Sequence, residues 1–193
     1  EPVPSQRRNV VLIIPTLHGG GAERVIATIL RHLDRGRFHL SLLVVDGRNA
    51  VMRSQIPDDV AYVDLHCRHV RSSIPKILRF LRKTQPDAVL VTVSHLILAL
   101  AIFRFALPPR TRLVGRETTL ISESIKHYPM PPLWAALFKR FYRKIDTMIC
   151  QSVAMQKDLV ENWNYPVAHT VVINNPIDAA LVRAKGTQSI SNK

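Results

Sequence analysis

Short apolar segments alternate along this chain with amphipathic segments, and this alternation constrains the fold more than any other feature of the sequence. Seven segments have the composition of β-strands: Val10–Ile14, His39–Val45, Ala61–Val63, Ala88–Val93, Arg112–Val114, Thr147–Cys150 and Thr170–Ile173. Four segments between them have helical periodicity: Ala22–Leu33, Ile74–Lys83, Leu133–Lys144 and Val153–Glu161. Strands that are apolar at nearly every position are typical of parallel sheets covered on both faces. The sequence therefore predicts a doubly wound α/β domain with a Rossmann-like parallel sheet.

The length of the chain, 193 residues, suffices for one large domain. Polar, aperiodic sequence predicts a tail over residues 1–8, one domain over residues 9–176, and a linker or tail over residues 177–193. Neither a signal peptide nor a membrane span is expected, because the longest apolar run, Leu96–Leu107, is shorter than the ~20 residues that a spanning helix needs. Cys67 and Cys150 are far apart, which predicts reduced thiols in a cytoplasmic protein.

The charge of the chain is strongly positive. Lys and Arg number 27 against 14 Asp and Glu, which gives a formal net charge of +13. Such an excess favours anionic partners: nucleic acid, anionic lipid or phosphorylated substrates. Nucleic acid is the least expected of these, because the sequence has no helix-turn-helix spacing, zinc finger or aromatic RNP-like strand.

Three consecutive glycines, Gly19, Gly20 and Gly21, separate the first predicted strand from the first helix. The pattern is not the G-x-G-x-x-G of dinucleotide-binding folds, and no G-K-[ST] of a phosphate loop follows it. Nicotinamide, flavin and P-loop chemistry are therefore not supported. Glycines at a helix start expose backbone N–H groups to a bound anion. The alternative is that they serve turn geometry alone.

Three segments, in order, resemble parts of family 4 glycosyltransferases, which are retaining enzymes of GT-B fold. "PTLHGGGAERV" is similar to their first strand–loop–helix, "LVGRETTLIS" to a segment after the fifth strand, and "INNPID" to the segment that leads into the second domain. The resemblance implies an N-terminal, acceptor-side domain that works with a nucleotide-sugar donor held by a C-terminal domain. It implies no metal or other cofactor.

The donor domains of this family carry two glutamates separated by seven residues, and the present sequence has no such pair. Its glutamates are Glu1, Glu23, Glu117, Glu123 and Glu161. The resemblance therefore implies that the chain by itself is not a competent transferase. The acceptor expected from relatives is a lipid-linked glycan or a cell-surface polysaccharide precursor at the membrane.

Ligands of open parallel sheets lie beyond the carboxyl ends of the strands. This rule selects the residues that follow the first, fourth and fifth strands: His18, Gly19, Gly20, Gly21, Ser94, His95, Arg116, Glu117 and Thr118. By resemblance, the three glycines contact the donor phosphates and sugar. His95, Arg116 and Glu117 are the catalytic candidates, and the resemblance implies that Arg116 and Glu117 line the acceptor side of the cleft. The other three candidates line the acceptor side of the cleft: His18, Ser94 and Thr118.

Two of these assignments have alternatives. Arg116 and Glu117 could form a surface ion pair. His95 could cap or pack a helix, and relatives place their histidine elsewhere in the cleft. A third possibility, a zinc site at "HCRH" with His66, Cys67 and His69, is disfavoured because structural zinc takes four ligands from better separated pairs.

Two predicted helices, "SIPKILRFLRK" and "PPLWAALFKRFYRK", divide into an apolar and a basic face. The basic face of the second carries the predicted membrane-facing residues Lys139, Arg140, Arg143 and Lys144. Together with the net charge, both helices predict attachment to the anionic inner face of a membrane. The alternative is that the apolar faces cover the sheet and the charges are solvated. A non-catalytic basic module that binds anionic membrane or nucleic acid remains the other functional hypothesis.

Overall fold

The computed structural model describes residues 7–177 and residue 183. Seven parallel strands form one sheet: β1 Arg8–Ile14, β2 Phe38–Val44, β3 Ala61–Asp64, β4 Ala88–Thr92, β5 Arg112–Arg116, β6 Thr147–Cys150 and β7 Thr170–Val172. The helices are α1 Gly21–His32, α2 Val70–Thr84, α3 Ser94–Ile102, α4 Ile121–Ser124, α5 Pro131–Phe141 and α6 Val153–Trp163. Short 3-10 turns occur at Arg53–Gln55, Arg104–Ala106, Ile125–His127, Tyr142–Lys144 and Val167–His169.

The strand order is β3-β2-β1-β4-β5-β6-β7, so the chain first winds outward from β1 and then returns to its other side at β4. In β1, Leu12 pairs with Leu42 of β2 and with Leu90 of β4. The strand order thus reverses between β1 and β4, and a doubly wound sheet has a crevice at the carboxyl ends of two such strands. The predicted doubly wound, Rossmann-like fold is confirmed.

The core has two parts, one on each face of the sheet. Val11 and Ile13 of β1 belong to a cluster that includes α2, α3 and α5. Leu12 and Ile14 belong to the second cluster, which includes α1. Successive side chains of a strand point to opposite faces, so a strand covered on both faces has to be apolar throughout. This is the physical reason why the strand composition predicted the fold.

Most predicted elements are present, with bounds shifted by a few residues. Two observed helices were not predicted: the single turn α4 and the longer α3. In α3 the reason is clear. Its first turn follows β4 directly, and Leu96, Ile97, Leu98 and Leu100 are all buried. A helix that is apolar all round has no amphipathic period to reveal it. The predicted end tails lie largely outside the described residues, and within the described part no helix is long and apolar enough to cross a membrane.

The apolar face of α2 covers the sheet. Ile74 is 5 % exposed, and Ile77 and Leu81 are wholly buried. The alternative that the apolar face of α2 covers the sheet is therefore confirmed, since these side chains form part of the core. Attachment of the domain to a membrane stays a prediction. In α5 only Phe138 is buried, whereas Leu133 is 49 % exposed.

Candidate functional site

The glycine loop lies between β1 and α1 at the carboxyl-terminal edge of the sheet. Gly19 has a φ of 105°, a left-handed conformation that strains any residue with a Cβ. Gly20 is the N-cap of α1 and supplies no side-chain cap. The first N–H groups of any helix lack intrahelical partners, and here no side chain of the N-cap residue accepts from them. A Cβ on Gly21 would meet open space among the described residues.

Glu23, which the sequence analysis did not select, lies against this loop. Its Oε1 accepts a hydrogen bond of 2.8 Å from the Thr16 hydroxyl. Its Oε2 occupies the space into which a Cβ on Gly20 would project. A carboxylate here repels phosphate and accepts hydrogen bonds from hydroxyl groups. The loop therefore places backbone N–H donors, which suit an anion, next to a carboxylate acceptor, which suits a hydroxyl group. The third helical position, where Glu23 stands, is a common place for a carboxylate that turns back toward the helix start.

His18 is exposed and connects the loops that follow β1 and β2. Its Nε2 lies 3.0 Å from the backbone oxygen of Arg48. The Arg48 guanidinium in turn donates to the Asp46 carboxylate, and this pair lowers the pKa of Asp46. Both loops therefore reach the same edge of the sheet, as expected for strands that run parallel.

Arg116 ends β5 and is 3 % exposed. Its Nη2 donates a hydrogen bond of 2.6 Å to Oδ1 of Asn175, which lies in "INNPID". Its Nη1 is buried and has no hydrogen-bond partner among the described residues. Burial lowers the pKa of this guanidinium. Two of the three motifs that carry the family resemblance are thus in direct contact.

Glu117 follows Arg116 but is buried elsewhere, with 2 % of its surface exposed. Its carboxylate accepts hydrogen bonds of 2.6 Å from the Tyr142 hydroxyl and 2.7 Å from the Ser94 hydroxyl. Desolvation raises its pKa, and these hydrogen bonds oppose the shift. The predicted alternative of a surface ion pair with Arg116 is wrong, because adjacent residues of an extended chain point to opposite sides. The expectation that Glu117 lines the cleft is also corrected, since its carboxyl lies beneath the surface.

The residues after β4 enter α3 through a strained link. Val93, the N-cap, has a φ of 73°, which is a genuine outlier for a β-branched residue. Ser94 is 3 % exposed and directs its hydroxyl to Glu117, so it supports the cleft from beneath and does not line it. His95 is half-buried, and burial lowers its pKa. Thr118, next to Glu117, is half-buried.

The histidines and the cysteine of "HCRH" do not converge. The Nδ1 of His66 lies 3.1 Å from Oδ2 of Asp64, and the buried Cys67 thiol lies 3.4 Å from the backbone oxygen of Leu65. His69 is exposed at the start of α2. Across residues 7–177, no group of three His, Cys, Asp or Glu side chains is placed to hold a metal.

The four basic residues predicted to face a membrane have different neighbours. The Lys139 ammonium lies over the Trp163 ring, whereas Arg140 and Lys144 lie over the ring of Phe141. Arg143 lines a depression, here called the basic depression, at the amino-terminal ends of β5 to β7. Its basic lining residues are Arg104, Arg110, Arg112, Arg143 and His169. One acid, Asp146, also lines it and pairs with Arg104 at 3.1 Å.

Solved structures with the same fold include several enzymes that act on sugars. HepE of Anabaena, solved with UDP-glucose, superposes with a TM-score of 0.67 at 16 % identity over 91 % of this chain and 46 % of its own. The lipopolysaccharide outer core galactosyltransferase WaaB gives 0.63 at 10 % identity over 88 % and 46 %. A UDP-N-acetylglucosamine 2-epimerase from Rickettsia bellii gives 0.63 at 18 % identity over 95 % and 50 %. At such identities the likeness shows the fold alone, which matches one half of a GT-B architecture.

This chain spans about half the length of those structures. No curated protein sequence matches it significantly. The sequence profile of glycosyltransferase family 4, however, matches residues 19–181, from the glycine loop past "INNPID". Because this match covers most of the chain, the protein belongs to glycosyltransferase family 4.

Proposed function

We propose that this chain is the acceptor-side half of a retaining glycosyltransferase that moves a sugar from a nucleotide sugar to a hydroxyl group. The observation that carries the proposal is the position of the glycine loop. It lies at the carboxyl end of β1, where the strand order reverses, within the part of the chain that matches family 4. The UDP-glucose bound to HepE supports a uridine diphosphate sugar as the first donor to test.

In the proposed reaction, the bond between C1 of the sugar and the terminal phosphate oxygen of the nucleotide breaks. The acceptor hydroxyl oxygen bonds to C1 on the same face, and the hydroxyl proton leaves with the diphosphate. The N–H groups that start α1, next to Gly20 and Gly21, stabilise negative charge on the donor. Glu23 accepts hydrogen bonds from hydroxyls of the transferred sugar.

His95 is the catalytic candidate that can touch substrate. Burial lowers its pKa, so its imidazole is neutral near neutral pH and accepts a hydrogen bond from a hydroxyl group. Glu117 acts differently, as a positioning residue, because its carboxyl is buried against Ser94 and Tyr142. Arg116 holds Asn175 and thereby fixes the direction in which the chain leaves the domain.

We further propose that the donor is held mainly by a second domain and that this chain alone transfers no sugar. Two observations support this: the chain spans about half of the matching structures, and it lacks two glutamates separated by seven residues. The cleft then forms between the two domains, and no metal is required.

The acceptor we propose is lipid-linked and is reached at the cytoplasmic face of a membrane. The net charge of +13 and the basic depression support attraction to anionic headgroups. The same depression also favours the second candidate function, a non-catalytic module that binds polyanions. Retention of the chain by anionic vesicles without any transfer by the longer protein would favour that second function.

Transfer assays on a protein that joins this chain to a donor domain test the proposal. His95→Gln should lower kcat by about 10²-fold, the low end of the range for a group that exchanges protons with a reacting hydroxyl. His39→Gln is the matched control, since His39 lies exposed near the amino-terminal end of β2, at the edge of the sheet opposite to the candidate site. Equal kcat values for the His95 variant, the control and the unchanged protein would contradict the role of His95. Absence of transfer with every nucleotide sugar would contradict the function.

A further inference from the structure

A large groove lies between α2, α3 and α5, outside the glycine loop and Arg116. Its volume is about 1040 Å³. Its walls are mainly aliphatic and aromatic, with Ile74, Leu78, Leu98, Ile102, Trp134 and Leu137 contributed by the three helices. Leu98 and Ile74 are only 1 % and 5 % exposed, so the floor is recessed between the helices. We call this feature the helical groove.

The titratable side chains that line the helical groove are three arginines and two histidines. Arg71, Arg79 and Arg82 contribute from α2, and His69 and His95 stand at the starts of α2 and α3. No Asp or Glu among the described residues belongs to the lining. The groove therefore suits a molecule that combines a long apolar part with a negatively charged group.

The groove also has a direction. Both α2 and α3 begin at the carboxyl-terminal edge of the sheet, where His69, Arg71 and His95 lie. It extends along α3, a helix of 9 residues and hence about 13 Å, toward Phe103 and Arg82. Beyond that far end, Phe105 is 80 % exposed, with its ring centroid 6.2 Å from that of Phe103. One end thus opens at the candidate site, and the other lies beside exposed aromatic rings.

We propose that the helical groove binds the hydrocarbon chain of a phospholipid-type acceptor, with its phosphate beside His69, Arg71 and His95. This inference rests on the proposed function, because it names the acceptor that this site would glycosylate. A recessed apolar groove admits single hydrocarbon chains, whereas a flat bilayer surface does not reach residues such as Leu98. The exposed Phe105 ring marks the side from which a chain leaves a membrane.

The test uses n-alkyl phosphates of 8, 10 and 12 carbons, kept below their micelle concentrations, titrated calorimetrically into the 193-residue chain. Affinity should rise by up to fourfold for each methylene that becomes buried. Ala99→Trp, which fills the groove from α3, should abolish binding. Ala136→Trp is the matched control, because Ala136 is exposed on α5 and does not line the groove.

A second variant covers the possibility that Ala99→Trp does not fold. Arg71 is exposed, and Arg71→Gln should weaken binding of dodecyl phosphate at least fivefold without affecting the weaker binding of dodecanol. Arg68→Gln, an exposed arginine outside the lining, should affect neither ligand. Affinity that is independent of chain length, or equal in the Ala99 and Ala136 variants, would overturn the proposal. So would a dimer of this chain that alkyl phosphate dissociates, since the groove would then hold a second copy.

These outcomes are distinct from failure of the proposed function. If the longer protein transfers sugar to a short, water-soluble acceptor but Ala99→Trp prevents neither transfer to lipid nor alkyl phosphate binding, the groove inference fails alone. If alkyl phosphate binds in the groove as described but no sugar is transferred to any acceptor, the proposed function fails and the groove remains a lipid site.

Discussion

Replacing Glu117 with glutamine removes a titratable group from the buried contact between β5, α3 and the turn after α5. The shape of the side chain is retained, and the amide oxygen still accepts from the Ser94 hydroxyl. The Tyr142 hydroxyl lies 3.2 Å from the backbone oxygen of Ser94, so it has an alternative acceptor while the new NH₂ group donates to it. Glu117→Gln should therefore cost less than about 1 kcal/mol of unfolding free energy at low pH, the value of one ordinary hydrogen bond.

Glu117→Ala should be far more costly. It removes two side-chain hydrogen bonds, of 2.6 and 2.7 Å, at a site that is 2 % exposed. At about 1 kcal/mol for each bond, with a further contribution from the cavity, the loss should be about 2–4 kcal/mol. The loss of unfolding free energy in the Ala variant thus reports the whole hydrogen-bond network, and that in the Gln variant reports the titratable carboxyl alone.

The pH dependence separates the two effects. Burial raises the pKa of Glu117 above its ordinary value of 4.5, so the folded state binds this proton more tightly than the unfolded state. The corresponding stability is fully present below pH 4.5 and is lost as the pH rises through the folded-state pKa. The stability of Glu117→Gln relative to the unchanged protein should therefore improve as the pH rises from 4 to 8.

Urea unfolding at a series of pH values measures this difference directly. A constant difference between the Gln variant and the unchanged protein across that range would refute the argument that the buried carboxyl has a raised pKa. A Gln variant as unstable as the Ala variant would refute the hydrogen-bond assignment.

Three further predictions concern packing, lipid and donor. Gly115→Ala should destabilise the fold by about 1–3 kcal/mol in thermal unfolding, because the new Cβ would lie 2.7 Å from Met148 Sδ. The destabilisation should be smaller in a Met148→Ala background, and an equal destabilisation in both backgrounds would contradict this explanation. Replacing Lys139, Arg140, Arg143 and Lys144 with Gln should release the chain from anionic vesicles without unfolding it, and a higher salt concentration should also release the unchanged chain. Equal cosedimentation with neutral and anionic vesicles, or tighter binding to RNA than to anionic vesicles at the same salt, would contradict this prediction. Calorimetry should show weak binding or none when UDP-glucose is added to the 193-residue chain, and micromolar affinity would contradict the assignment to the acceptor side.

The sequence was sufficient to predict the sheet because each strand of a doubly covered parallel sheet carries its own signature. Residues such as Val11 and Leu12, which face opposite sides, are both apolar, and this is visible without any partner strand. The same reasoning could not find α3. This helix is apolar on nearly every side, so the pattern contains only an apolar run.

The sequence predicted which positions belong to the site, but it did not predict which side chains contact one another there. Strand ends identified His18, His95 and Arg116 as candidates, because ligands of parallel sheets lie there. Partners distant in sequence could not be read from any local pattern. Arg116 and Asn175 are 59 residues apart, and their contact depends on the path that the chain takes after β7.

Some features result only from packing. Three helices that are separated in sequence form the helical groove, so neither their periodicity nor their charge pattern predicted it. The basic face predicted for α5 is another such case. Its residues divide between the Trp163 ring, the Phe141 ring and the basic depression, because the neighbouring elements differ around the helix.

Sugar transfer by a Gly21→Val variant of the longer protein tests the central claim most directly, namely that substrate approaches the backbone at the glycine loop. A Cβ on Gly21 meets open space, so the variant should fold with an unchanged thermal transition, while the added methyl groups project into the crevice. Gly36→Ala, in an exposed loop before β2, is the control and should transfer sugar normally. The account predicts that the folded Gly21→Val protein loses transfer by at least about 10²-fold, as expected when a reacting group is displaced by about 1 Å. Unchanged transfer kinetics in a folded Gly21→Val protein would contradict it.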